Sequence, residues 1–140
     1  MVDQEKIRQK LHFIRQQLKE LDRFEAIGLD EFLKEPFYEA AATRMLQISI
    51  EAMLDICAHV IARLGSGLPK TYVETVEMAA RHGLIPKDLT ATYKDMARFR
   101  NRVVHLYHDI DPKEIWQIAQ LHSDNLQPFM TLVVQQYLSE

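Results

Sequence analysis

From Ile7 onward apolar residues recur at steps of four and three: Ile7, Leu11, Ile14, Leu18 and Leu21. That heptad spacing lays one apolar seam along a helix whose other positions are charged, and predicts a long packing helix from Asp3 to about Ala26. Gly28 with Leu29 and Asp30 ends it, with Asp30 as the expected N-cap ahead of Glu31 and Phe32. Pro36 then separates a short turn from a second helix of about 36–64. This helix carries apolar residues in too many directions for one face, among them Met45, Leu46, Ile48, Ile50, Met53, Leu54, Ile56, Val60, Ile61 and Leu64. The surplus predicts that part of it is buried against a second copy of the chain.

Gly65-Ser66-Gly67-Leu68-Pro69 reads as a loop, with Gly65 as the residue just past the helix end. Its lysine and hydroxyl spacing is wrong for a phosphate-cradling P-loop, and no strand precedes it. Thr71 with Glu74 forms a capping box that opens a short helix through Val73, Val76 and Met78 to a stop at Gly83. Pro86 and Asp88 introduce a helix of about 87–108, in which Met96, Phe99, Val103 and Leu106 share one arc and face the core, with Tyr93 and Lys94 placed on the surface. Asp111, Pro112 and Glu114 occupy the N-cap, N1 and capping-box positions of a last helix. Ile115, Ile118, Ala119, Leu121 and Leu126 form its core face. Pro128 marks a kink, beyond which Phe129, Leu132, Val133 and Tyr137 continue. The prediction is an all-α, antiparallel bundle of about five helices, with residues 1–140 as a single domain.

A 47% hydrophobic content over 140 residues is enough for one core, and too short for two domains. The lone Cys57 lies among apolar neighbours and reads as a buried hydrophobe; Trp116 likewise reads as core. The first residues contain no apolar signal segment, and no run reads as a membrane span, so a cytoplasmic protein without membrane association is expected. The formal charge of −3 argues against coating nucleic acid by bulk charge, since such domains are usually basic. Locally the balance reverses: Lys94, Arg98, Arg100 and Arg102 fall within nine positions, opposed by Asp95. Nucleic-acid contact is therefore expected to focus on this helix.

On that helix Arg100, Asn101, His105 and Tyr107 fan across the side adjoining the core arc, which brings a guanidinium, an amide, an imidazole and a phenol together. Arginine's planar fork matches phosphate oxygens, and histidine can exchange a proton near neutrality, the two needs of an RNA 2′-hydroxyl attack. On the second helix Gln47, Glu51, Asp55 and His59 form a polar ridge at steps of four, joined by Arg44 and Arg63. The Glu-x-x-His pair of bundle di-iron sites is missing, so no metal is assigned; Glu51 and Asp55 are expected to pair with arginines of neighbouring helices or to meet solvent.

Arg100-x4-His105-x-Tyr107, with Asn101 directly after the arginine, resembles the signature of HepT-like toxins of the HEPN superfamily. Three further stretches fit the same family: Arg44-Met45-Leu46-Gln47 leading to Glu51 and Asp55, Gly67-Leu68-Pro69 with Lys70-Thr71-Tyr72, and Leu89 through Arg100. The resemblance implies the toxin of a type II HepT/MntA-like toxin–antitoxin system, a metal-independent endoribonuclease without cofactor. Arg100 and His105 would be catalytic and Asn101 and Tyr107 supporting. It implies as partners an RNA substrate and a cognate MntA-like nucleotidyltransferase antitoxin, which silences the toxin by transferring AMP to Tyr107. One Arg–His pair lacks a second acid/base group, so a two-fold homodimer that brings two His105 side chains to one cleft is expected. Two other readings stand beside it: a non-catalytic helical partner or substrate of a nucleotidyltransferase, and a structural bundle dimer without a site.

Overall fold

The computed structural model describes residues 2–106 and 109–138. Among them the chain is helical throughout, with no strand: α1 (Gln4–Leu21), a 3₁₀ turn (Asp22–Ala26), α2 (Leu29–Lys34), α3 (Pro36–Arg63), α4 (Tyr72–Arg81), α5 (Thr90–His105) and α6 (Pro112–Val133). The expected all-α bundle is present. Its sixth helix is the short α2, which forms where a turn was expected and starts from Gly28 as N-cap, with Asp30 inside its first turn.

Side-chain pairs fix the directions. Lys10 meets Asp55 at 3.0 Å and the Asp3 N–H donates to His59 Nε2 at 2.9 Å, so α1 runs antiparallel to α3. Lys94 meets Glu77 at 3.0 Å, setting α4 against α5. The Tyr93 hydroxyl donates to the Asn125 carbonyl at 2.6 Å and Arg102 grips Glu114 at 2.8 Å, which sets α5 antiparallel to α6.

The heptad residues of α1 are all buried, as their spacing predicts. α3 is the hub and packs against α1, α2, α4, α5 and α6. Its apolar residues in several directions are accordingly taken up inside one chain; Leu46, Ile50, Met53, Leu54, Ile56, Val60 and Ile61 are all at most 1% exposed. What remains at the surface lies toward its ends, with Phe37 77% exposed in the first turn and Leu64 48% exposed at the C-cap. By length and a mean hydropathy of 1.5, α3 could cross a membrane, but a helix apolar on most sides is equally the core helix of a bundle, which is what its burial makes it here. Cys57 is fully buried, and burial pushes its thiol pKa far up.

Four expectations along α5 and α6 are corrected. Leu121, placed on the core face of α6, is 59% exposed. Tyr93 is fully buried, edge-on to Phe129 with ring centroids 6.2 Å apart. Its hydroxyl donates to the Asn125 carbonyl, next to the Asp124 carbonyl that Pro128, lacking an N–H, leaves without its helical donor. α5 ends at His105, so Leu106 leaves the helical arc and lies 54% exposed, while Ile110 enters the core. Glu114 does not close a capping box; both its oxygens accept from the Arg102 guanidinium at 2.8 Å, which lowers the Glu114 pKa and raises that of Arg102. Asp111 does cap α6, accepting from Lys113 N–H, with Pro112 in its first turn. Trp116 lies against the core and donates to the Ile27 carbonyl at 2.9 Å.

Candidate active site

Arg100 and His105 line one cleft of about 520 Å³, together with Asn101 from α5, Lys70, Thr71 and Tyr72 at the entry to α4, and Ala58 on α3. The local reasons are simple. Val103, Phe99 and Met96 hold the opposite face of α5 in the core, which turns residues 100, 101 and 105 outward. The Thr71 hydroxyl accepts from Glu74 N–H at 3.0 Å and the Glu74 carboxylate accepts from Lys70 N–H at 3.2 Å, so the capping box both starts α4 and shapes the facing wall.

Arg100 is held on two sides. Its Nε donates to Glu51 Oε2 at 2.8 Å, and its guanidinium carbon lies 4.8 Å from the centroid of the Tyr72 ring. Glu51 is itself oriented by Gln47, whose amide donates to the same oxygen at 3.2 Å. Of the fork, Nη1 approaches Asn101 Oδ1 only at 3.5 Å, so the Nη groups are the donors left for an anion in the cleft. The ion pair with Glu51 offsets Arg100's charge, and Lys70 on the facing wall supplies a second cation. His105 is the last residue of α5 and is exposed at the cleft. Tyr107 and His108 lie outside the described residues, so Tyr107's placement by helical spacing stays an expectation.

The cationic run of this helix is reorganised by the fold. Lys94 pairs with Glu77, Arg98 with Asp95 and Arg102 with Glu114, leaving Arg100 as the member of the run that faces the cleft. The expected pairing of Glu51 with an arginine is found; Asp55 instead takes Lys10. Lys70 and Tyr72 were missed as site residues, although they sit in a stretch that carries the resemblance. Nothing in their own spacing joins them to Arg100, which lies 28 positions beyond Tyr72. No group of three or more His, Cys, Asp or Glu side chains converges among the described residues.

A guanidinium fixed by a carboxylate and an aromatic ring, beside a solvent-facing histidine, is an arrangement for holding a phosphate and moving a proton. The chain matches a family model described as ribonuclease HepT-like over residues 14–133. It belongs to this family. A tRNA nuclease HepT from Aphanizomenon flos-aquae is 31% identical over 110 residues, 79% of this chain and 75% of the relative. An mRNA nuclease HepT from Shewanella oneidensis is 26% identical over 63% of this chain and 66% of its own length. A solved structure of a tri-AMPylated HEPN toxin from Shewanella oneidensis in complex with MNT antitoxin superposes with a TM-score of 0.85, covering 97% of this chain and all of that one, at 23% identity. The HepT-like fold thus extends over nearly the whole chain.

Within this HepT-like site Glu51 touches no expected ligand and acts through Arg100. Glu51→Ala is expected to lower RNA cleavage about 10-fold, the scale of one charge-assisted hydrogen bond, with Glu51→Gln recovering part of it because the amide oxygen still accepts from Nε. Equal losses in both variants would show that Glu51 does not position the guanidinium.

Proposed function

We propose that this HepT-like ribonuclease is the toxin of a toxin–antitoxin pair and cleaves RNA without a metal, with Arg100 and His105 as catalytic residues and Asn101 and Tyr107 supporting them. The supporting observation is that Arg100 and His105 line one cleft with the guanidinium already oriented by Glu51 and Tyr72. The Nη groups of Arg100 hold the scissile phosphate and stabilise the charge that grows on its oxygens. His105 takes the proton of the attacking 2′-hydroxyl or returns one to the departing 5′-oxygen; the 2′-oxygen–phosphorus bond forms as the bond from phosphorus to the 5′-oxygen breaks. Asn101 orients the phosphate or the histidine.

The reaction needs a proton donor as well as an acceptor, and a two-fold dimer would supply the second from the partner's copy of the motif. Exposed apolar residues adjoin the cleft residues in sequence: Leu64 and Leu68 come shortly before Pro69, and Val104 and Leu106 flank His105. These, with the C-terminal end of α3 among them, are the candidate dimer surface. The site of action is the cytoplasm, where substrate RNA is found. The test is incubation of unmodified protein with total RNA and with tRNA in EDTA; RNA left intact in EDTA but cut when metal is restored would refute metal-independent cleavage.

A MntA-like nucleotidyltransferase antitoxin, as partner, would silence the toxin by transferring AMP to Tyr107. The adduct sets a bulky anion two residues from His105, where it competes for the cleft's positive charge. Intact-mass measurement after co-expression with the transferase should find AMP on wild type and none on Tyr107→Phe. Added mass that survives in Tyr107→Phe would place the acceptor elsewhere.

A further inference from the structure

Ala58 lines the active-site cleft and also a second groove of about 560 Å³ between α1 and α3, so the two clefts adjoin at this small residue. The second groove presents Lys6 and Lys10 from α1 and His59 and Arg63 from α3, with Asp55 its one carboxylate. Asp55 is engaged by Lys10 at 3.0 Å, whereas neither Lys6 nor Arg63 is in an ion pair with a described residue. His59 reports the local field: its pKa is lowered, first by burial and then by the nearby charges of Lys6 and Arg63, with Asp3 opposing. The ring is accordingly neutral and its Nε2 accepts the Asp3 N–H.

The two clefts together hold five cations, Lys6, Lys10, Arg63, Lys70 and Arg100, against three carboxylates in or beside them: Asp55, Glu51 paired with Arg100, and Asp3 at His59. The whole chain has 17 cations and 20 carboxylates; removing five and three leaves 12 against 17, so the rest of the protein carries −5 and this track +2. Two adjoining basic clefts on an acidic protein concentrate an anionic chain and disfavour it elsewhere. The second groove is lined by charged side chains, His59, Ala58 and Ala62, which suits a phosphate backbone better than a protein partner needing an apolar centre.

We propose that the Lys6–Arg63 groove holds RNA phosphates flanking the scissile bond, so that the substrate strand passes over Ala58 from one cleft to the other. This rests on the reading of Arg100 and His105 as the cleavage site. It makes Lys6 and Arg63 determinants of substrate affinity, contributed by α1 and α3 rather than by the motif helix.

The test is the double variant Lys6→Ala/Arg63→Ala, whose fold is checked by circular dichroism and melting. Two probes are used: a single-stranded oligoribonucleotide 2′-O-methylated throughout for binding, and its unmodified counterpart for kinetics. Binding should weaken about 10-fold, with the slope of log affinity against log salt falling by about 1.4, since each single-strand phosphate contact contributes about 0.7. KM should rise by a similar factor while kcat is retained. Unchanged affinity and slope would overturn the proposal, as would a variant that handles RNA normally but no longer associates with the nucleotidyltransferase. If the wild-type protein neither binds nor cuts RNA, the cleavage reading falls and this proposal with it; failure confined to the variant's predicted defect removes only the groove.

Discussion

His105→Ala is expected to reduce RNA cleavage by about 100-fold or more, the usual scale for losing a proton-transfer group, while the melting temperature hardly moves. Both halves follow from its position. His105 is the last residue of α5 and exposed, so its ring adds little to the core that Val103, Phe99 and Met96 build one face away. Surface substitutions of that kind usually fall within about 0.5 kcal/mol. Arg100→Ala should cost cleavage too, but leaves Glu51 without its partner and Tyr72 without its stacked cation, so its stability is the less clean control. Single-turnover cleavage of an oligoribonucleotide in EDTA, beside thermal melts of both variants, measures the two effects. A His105→Ala protein that cuts at the wild-type rate would remove His105 from the mechanism; one that is inactive but strongly destabilised would make its role structural.

What was legible in the chain was what short periodicities and caps encode. The α1 seam, the Asp111 cap, the Thr71 box, the Gly65 stop and the outward face of α5 all depend on residues within a turn or two of each other. Tyr93 was within reach of the same reasoning. It precedes Met96 by three and Ala97 by four, on the core stripe, and the polar residue at 94 drew it wrongly to the surface. Leu106 and the packing role of α3 were not local matters, although the bounds of α3 were. The arc that includes Leu106 holds only if the helix continues, and it stops where the chain turns toward the Asp111 cap. A helix apolar in many directions fits either an interface or a hub, and which it is depends on how many other helices the chain can wrap around it. The long-range pairs were the least legible: Arg102 with Glu114, Glu51 with Arg100, Lys10 with Asp55. They decide which cations of the motif helix stay open to a ligand, so the site's charge could be read only from the fold.

The same dependence on tertiary placement governs His122, an unremarkable polar residue in sequence that is 1% exposed in the fold. Its Nε2 lies 2.8 Å from Ser49 Oγ, and the single Ser49 hydroxyl proton has backbone acceptors at Met45 O and Leu46 O, at 2.8 and 3.1 Å. Ser49 therefore accepts from Nε2–H, leaving Nδ1 a buried lone pair without a protein partner. Burial lowers the His122 pKa from 6.5 to about 4. With the folded value below the unfolded one, the unfolded chain binds more protons between those two pH values. The stability held above pH 6.5 is then lost as pH falls toward 4, by about 3 kcal/mol. The loss should reach the active-site helix, because His122 lines a cavity of about 120 Å³ with Met96 and Phe99 of α5. Urea unfolding of wild type and His122→Leu at pH 7, 5.5 and 4 checks this. Leucine cannot ionise, and Ser49 keeps its bond to Met45 O. Other groups that titrate in the same range contribute to both proteins and cancel in the difference. The wild type's stability relative to His122→Leu should fall by about 3 kcal/mol across that range; parallel curves would mean that His122 is not held neutral in the fold.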